Sequence, residues 1–177
     1  GTVFAHGANA FGQLGDGTNL DRFSPTQLPV ECVLDIAVGS AHTLVLTAEG
    51  EVYSTGRNTH GQLGDRSHDD RHSPTKVLSG VRSLAAGSAH SVFLREDGSA
   101  LTVGWNARGQ LGDGTTTSRA APVLAMTGVK AVAAGTAHTF FHTNDGSVYA
   151  TGANDFGQLG DGSKERGVRP VLVQQDV

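Results

Sequence analysis

The chain has 177 residues, which is enough for one domain with a substantial core. Hydrophobic residues make up 37% of it and charged residues 17%, a balance that excludes a disordered chain. The net charge of -4, without any run of lysine and arginine, argues against a nucleic-acid binder and against a protein that binds anionic membranes, because both would need a basic face.

The cysteine content and the hydropathy of the chain bear on its cellular compartment. Cys32 is the only cysteine, so the chain cannot form an internal disulfide or a cysteine-based metal cluster. No apolar stretch approaches the length of a membrane span, about 18 residues. We therefore expect no membrane segment, and an intracellular protein of the cytoplasm or the nucleus.

Short β-prone runs follow one another along the chain, each bounded by glycine or proline. The chain opens with GTVFA, which has the pattern of GSVYA at residues 146–150. The loop GANAFGQLGDGT follows at residues 7–18, and then Pro25, which we expect to open an outer edge strand because proline cannot donate to a ladder. IAVGSAHTLVL at residues 36–46 predicts two strands joined by a glycine turn, and VYST at residues 52–55 predicts a third.

Both blocks recur with one period. The asparagines of the loop are separated by 49, 48 and 48 residues, and the histidines of the HT block by 48 residues each. Two different blocks that share a period predict a repeat architecture. Each repeat contains four predicted strands, which in order carry the IAVG block, the HTLVL block, the VYST block and the proline.

Four short antiparallel strands per repeat are typical of a β-propeller blade, and glycine interrupts every run before it reaches helix length. We predict an all-β segment of a β-propeller made of four-stranded antiparallel blades. Its predicted parts are a half blade at residues 1–30 and three full blades at residues 31–78, 79–126 and 127–177. We expect further repeats or another chain to complete the open blade edges, which would otherwise be bare.

The repeated loop is not a phosphate-binding loop. Its nearest approach to one, GQLGDGSK at residues 157–164, has serine and lysine in the wrong order, and the other copies contain no lysine. The structural interpretation is that glycine supplies positive φ angles, the leucine anchors the loop and the aspartate bonds the local backbone. The aspartates are Asp16, Asp65, Asp113 and Asp161.

The spaced histidines and arginines also have structural interpretations. Histidines at equivalent places on successive blades are a blade width apart, so they cannot gather round one metal ion. We expect His42, His90 and His138 to bond the backbone of their own or the next blade. Arg22, Arg71 and Arg119 each lie six residues after the repeat aspartate, which favours hydrogen-bond donors that lock the blades.

The positions that differ between repeats are candidates for binding a partner. One such position precedes GQLGD and is occupied by Phe11, His60, Arg108 and Phe156. We expect these side chains on loops at one rim, where residues of that size anchor protein interfaces. The alternative, that they pack on their own loops, stays open.

Three further residues depart from the repeat. Arg66 replaces a glycine, and His68 follows in DRSHDDRHSP, where Asp69, Asp70 and His72 also occur. The alternatives are a solvated charged loop, a protein-contact loop and an adventitious metal site, but the spacing matches no standard metal motif, so we predict no metal site. Trp105, the only tryptophan, is either an interface side chain or a covered aromatic.

The blocks GxNxxGQLGD and VxxxAxGxxHT, alternating over the whole chain, resemble the regulator of chromosome condensation repeat family. The resemblance implies a seven-bladed propeller, of which this chain is about half. It also implies two kinds of activity. One is nucleotide exchange on a small GTPase, for which an exchanger of this family uses a wedge-like insertion in one blade. The other is the light sensing of a plant photoreceptor that is similar to this family.

The residues argue against both activities. The spacings of 49, 48 and 48 leave no room for an insertion, and Ser40, Ser88 and Thr136 stand where the photoreceptor has its chromophore tryptophans. No nucleophile elbow or HExxH motif is present, so we predict a chain that is not an enzyme and has no cofactor. The prediction is a non-catalytic protein–protein interaction scaffold within a larger protein or assembly, with guanine-nucleotide exchange as the alternative.

Overall fold

A computed structural model describes residues 1–175, and its strands confirm the all-β propeller segment. A two-stranded sheet, the half blade, is followed by three four-stranded antiparallel sheets, here called the first, second and third blades.

The half blade consists of β1 (Phe4–Gly7) and β2 (Arg22–Gln27). The first blade consists of β3 (Val33–Val38), β4 (His42–Thr47), β5 (Val52–Gly56) and β6 (Arg71–Leu78). The second blade consists of β7 (Val81–Ala86), β8 (His90–Arg95), β9 (Ala100–Gly104) and β10 (Arg119–Met126). The third blade consists of β11 (Val129–Ala134), β12 (His138–Thr143), β13 (Val148–Gly152) and β14 (Gly167–Gln174).

Strand order within each blade follows the chain, so every connection is a hairpin. The turn between β4 and β5 contains Gly50 at φ 74°, a left-handed conformation that glycine adopts without steric cost. Among residues 1–175, no helix is long and apolar enough to cross a membrane.

The prolines correct one detail of the sequence prediction. β2, β6, β10 and β14 are the outermost strands, as expected, but each begins three residues before its proline and does not open on it. In the first blade, Pro74 lies where the register between β5 and β6 shifts. The missing N–H is tolerated there, because the ladder is interrupted and the outer side of the strand faces no neighbour.

The core lies between blades. One apolar cluster joins Leu44 and Leu46 of the first blade to Leu84, Phe93 and Val103 of the second. A second cluster joins the second blade to the third, and a third one joins the half blade to the first blade. Burial of one such side chain stabilises the fold by about 1.5–3 kcal/mol. Each blade therefore depends on its neighbour for stability.

Candidate functional site

A rim loop connects the third strand of each blade to the fourth, and an asparagine organises it. In the half blade, Nδ2 of Asn9 donates to Oδ1 of Asp16 at 3.2 Å and to the carbonyls of Thr18 and Leu20 at 3.1 Å. Its Oδ1 accepts the backbone N–H of Leu14 at 3.0 Å. The rim loops are residues 8–21, 57–70, 105–118 and 153–166, and the equivalent asparagines are Asn58, Asn106 and Asn154. Sequence reasoning used these asparagines only to measure the period. Their recurrence at the start of every loop was the signal of a structural role.

The aspartate of the repeat closes the same loop. Oδ1 of Asp16 accepts the backbone N–H of Thr18 at 2.9 Å and its hydroxyl at 2.7 Å, and Oδ2 pairs with Arg22. Burial acts to raise the pKa of Asp16, but the bonds from Thr18 and Arg22 outweigh it and lower the pKa to about 2. Asp65 and Asp113 have the same partners in their own loops, whereas Asp161 lacks an arginine because Gly167 occupies that place.

The arginines therefore act locally. Arg71 donates to Asp65 at 2.7 Å and Arg119 donates to Asp113 at 2.9 Å, in each case from the first residue of the fourth strand to the rim loop that precedes it. The hydrogen bonds of these arginines thus act within a single blade and do not join one blade to another. The reason is the spacing of six residues, which brings guanidinium and carboxylate together across a single tight loop.

The first three rim loops also dock on the fourth strand of the next blade. The backbone N–H of Gly17 donates to the carbonyl of His72 at 2.9 Å, and that of Arg66 to Ala120 at 2.9 Å. The backbone approach is so close that a Cβ on Gly61 would lie 2.4 Å from the Cα of Ala120. The loop is repeated because every blade needs such a joint.

The histidines form a second joint, deeper in the fold. Nε2 of His42 lies 3.0 Å from Oγ of Ser91 in the second blade, and Oγ of Ser91 donates to the carbonyl of Gln62 at 2.7 Å. Because the only hydroxyl proton of Ser91 is used for Gln62, His42 must donate through Nε2–H. The expected backbone partner is thus replaced by a side chain of the next blade, since the hydroxyl projects from β8 toward β4.

The same chain of hydrogen bonds, from histidine to hydroxyl to carbonyl, occurs once more, between the second and third blades. His90 bonds Oγ1 of Thr139 at 3.0 Å, and Thr139 donates to the carbonyl of Gln110 at 2.8 Å. Burial lowers the pKa of His42 to about 4 and that of His90 to about 3, so both rings are neutral at pH 7. His138 lies on the third blade, after which residues 1–175 contain no further blade that could supply a hydroxyl, and its side chain is partly exposed.

The variable residues ahead of GQLGD reach toward the next rim loop. The guanidinium of Arg57 stacks 4.9 Å from the ring centre of Phe11. The rings of His60 and Trp105 are 6.2 Å apart, and Arg108 pairs with Asp155 at 3.2 Å. Phe156 is 91% exposed. These side chains therefore form a row along one rim, and their partner-binding role stays a prediction.

Arg66 and His68 are both exposed on the rim loop of the first blade. Arg66 has φ 66°, and the equivalent Gly17, Gly114 and Gly162 have φ between 81° and 83°. A side chain in this left-handed conformation costs about 1–2 kcal/mol. Cys32, which takes the place of Gly80 and Gly128, is held at φ 53° in the same way.

Within residues 1–175, no three histidine, cysteine, aspartate or glutamate side chains are grouped in a way that could hold a metal ion. In the segment with His68, Asp69 and His72, the carboxylate of Asp70 instead accepts the backbone N–H of Asn58 at 2.7 Å. That carboxylate belongs to the loop framework.

Comparison with protein families matches nearly the whole chain. The family model described as regulator of chromosome condensation (RCC1) repeat matches residues 1–46, 49–94, 97–141 and 145–177. A second model with the same description matches residues 33–62, 81–110 and 129–158. These matches confirm the resemblance seen in the repeated blocks.

Solved structures agree on the fold. Human WBSCR16 is 25% identical with a TM-score of 0.88, and the match covers 99% of this chain and 49% of that one. Yeast RCC1 (Prp20), in a complex with Kap60, is 22% identical with a TM-score of 0.83 and coverages of 98% and 46%. Prp20p from Saccharomyces cerevisiae, in a study of its binding to Gsp1p and histones, is 22% identical with a TM-score of 0.79 and coverages of 98% and 48%. The chain spans about half the length of these structures.

Proposed function

The chain belongs to the family of regulator of chromosome condensation repeats, and on that premise we propose that it is a non-catalytic scaffold for protein–protein interaction, part of a larger protein or assembly. An intracellular setting, cytoplasmic or nuclear, is part of the proposal. It is supported by a chain that has one cysteine and cannot form an internal disulfide.

The observation that carries the proposal is that the rim loops contain two kinds of position, those that build the loop and those that differ between loops. Positions that recur, such as Asn58 and Asp65, are used up in bonds that build the loop. Positions that vary, such as Arg57, His60 and Trp105, lie along one rim and differ in chemistry from loop to loop. Arg57 is exposed and Trp105 partly exposed, and accessible arginine and aromatic side chains are the ones that dominate protein interfaces.

The outward faces of the end sheets support the larger assembly. Leu84 is 7% exposed because the first blade covers it, whereas the equivalent Ile36 is 47% exposed and its neighbour Val38 is 65% exposed. At the other end, Phe140 is partly exposed although the equivalent Leu44 is buried. Further repeats, in the same polypeptide or in another chain, would cover these faces as the blades cover one another.

Cross-linking mass spectrometry of complexes captured from native extract tests the proposal. The exposed Lys76, Lys130 and Lys164 provide reactive amines. We expect cross-links from Lys164, on the last rim loop, to further repeats or to a distinct protein. Cross-links confined to this chain, in complexes that contain no other protein, would overturn the scaffold.

Guanine-nucleotide exchange on a small GTPase is the second candidate. It is favoured by the fold likeness to yeast RCC1 (Prp20), the protein whose binding to Gsp1p and histones has been studied. The even spacing of 49, 48 and 48 residues leaves no inserted wedge between repeats. A fluorescence assay of nucleotide release decides the matter, because acceleration by the chain itself would replace the scaffold proposal with exchange.

A further inference from the structure

A pocket of about 270 Å³ opens on the rim between the first and second blades. Arg57, His60 and Trp105 line it together with the hydroxyls of Ser40 and Ser88. The volume is below the roughly 300–1,000 Å³ of sites for whole small molecules, so it suits one or two side chains of a larger ligand.

Hydrogen-bond donors without a protein partner surround this pocket. Nε of Arg57 donates to Oγ1 of Thr59 at 3.1 Å, but within residues 1–175 its two Nη groups have no hydrogen-bond or ion-pair partner. The guanidinium carbon lies 4.9 Å from the centre of the Phe11 ring, a contact with the π face that uses none of the N–H donors. Among the same residues, neither the indole N–H of Trp105 nor the ring nitrogens of His60 have a hydrogen-bond partner.

The next junction lacks this arrangement. Between the second and third blades, Arg108 takes the place of His60 and is paired with Asp155 at 3.2 Å. Ala153 takes the place of Trp105 and has neither ring nor donor. Of the two junctions between four-stranded blades within residues 1–175, only the one between the first and second blades therefore combines an unpaired cation with the ring of Trp105.

We propose that this pocket binds an aspartate or glutamate side chain of a partner protein, with an adjacent apolar residue of the partner packed on Trp105. The inference rests on the proposed scaffold function and names the chemistry of its partner. A guanidinium edge bonds the two oxygens of a carboxylate side by side, which makes the pair strong and directional.

Charge selects the carboxylate over a phosphate group. Burial, and then the charges of Arg57 and His68, lower the pKa of His60, so Arg57 supplies the pocket's single positive charge at pH 7. A monoanion matches that charge, and a dianion would leave charge uncompensated. A free anion has no apolar part to cover Trp105, whereas a peptide can place an apolar side chain beside its carboxylate.

Selection of peptides from a random display library on the full chain, against the R57Q variant, tests the proposal. We expect enriched peptides to contain aspartate or glutamate next to an aromatic or aliphatic residue, and to bind R57Q at least tenfold more weakly. Because Trp105 is the only tryptophan, the same peptides should change the intrinsic fluorescence of the chain. Replacement of the acidic residue by its amide should abolish that change.

The matched control is R108Q, which removes a cation on the next rim loop, at the position equivalent to His60, where the guanidinium is already paired with Asp155. This variant should bind the peptides as the unchanged chain does. Enrichment of peptides without acidic residues, binding insensitive to R57Q, or no enrichment at all would overturn the carboxylate site. The scaffold itself would survive each of these results if native complexes still contain a partner cross-linked to Lys164.

Discussion

The junction between the first and second blades and the outward face of the first blade present equivalent residues in different surroundings. At the junction, Leu84 packs on Leu44 and Leu46. On the outward face, the equivalent Ile36 and Val38 are exposed, beside a space of about 400 Å³ along the free edge of β1. The difference teaches that the apolar pattern of a repeat encodes contacts with the preceding blade. Each repeat therefore contributes one side of the interface with the preceding blade and one side of the interface with the following blade.

The largest effect should come from cutting an apolar side chain at the junction. Leu84→Ala is expected to lower the free energy of unfolding by roughly 2–5 kcal/mol, because it leaves a cavity among buried side chains. Ile36→Ala, the matched change on the outward face, should cost less than about 1 kcal/mol in the isolated chain, because this side chain is exposed. Urea unfolding of both variants measures the difference. Equal losses would mean that the outward face is covered in solution, and would contradict the comparison.

The buried histidines should make the junctions sensitive to acid. His42 and His90 titrate near pH 6.5 when unfolded, but their folded pKa values are about 4 and 3. Below pH 6.5 the unfolded chain binds more protons, so stability is complete above that pH and is lost as the pH falls. Between pH 7 and pH 5 each ring should remove about 2 kcal/mol.

His90→Gln keeps a donor for Thr139 and removes the titration, so the variant should lose about 2 kcal/mol of the pH dependence. His138→Gln is the matched change on the outward face of the third blade, where the ring is only partly buried. Burial lowers the pKa of His138 as well, but His138→Gln should remove less of the pH dependence of stability than His90→Gln does. Denaturant unfolding at pH 7, 6 and 5 provides the measurement, and identical pH profiles for the two variants would refute the prediction.

The rim loops allow a third comparison. Asp113→Ala removes a buried carboxylate and leaves Arg119 and Asn106 without it, which should cost about 1–3 kcal/mol. Asp161→Ala, where Gly167 replaces the arginine partner, should cost less than about 1 kcal/mol because that carboxylate is exposed. The midpoints of thermal unfolding should rank the two variants in that order, and the reverse order would count against the ion pair as the stabilising element.

The smallest effect on stability should come from the two non-glycine residues with a left-handed backbone, Arg66 and Cys32. Arg66→Gly should stabilise the chain by about 1 kcal/mol, because glycine adopts φ 66° without steric strain. Cys32→Gly at φ 53° should do the same. Chemical denaturation of both variants checks this. If only Cys32→Gly stabilises, the side chain of Arg66 makes a compensating contact in the fold.

Much of the architecture was predictable because it depends on local patterns. Glycine and proline mark strand ends, and the period of 48 or 49 residues marks the blades, so class and strand order followed from the residues. The start of the fourth strand was misplaced, because an irregular ladder tolerates a proline that a regular one would not. The sequence did not reveal the structural role of Asn9 and its equivalents. That role is visible only when the backbone carbonyls that accept from the buried amide are located in the structure.

The sequence by itself determined that the chain is a repetition of four-stranded units and which positions differ between them. Only the tertiary structure decided which side chains meet across a junction. His42 with Ser91, Phe11 with Arg57 and His60 with Trp105 are each separated by 45 to 49 residues. Such pairs depend on how neighbouring sheets are placed against each other, and that placement follows from the packing between blades.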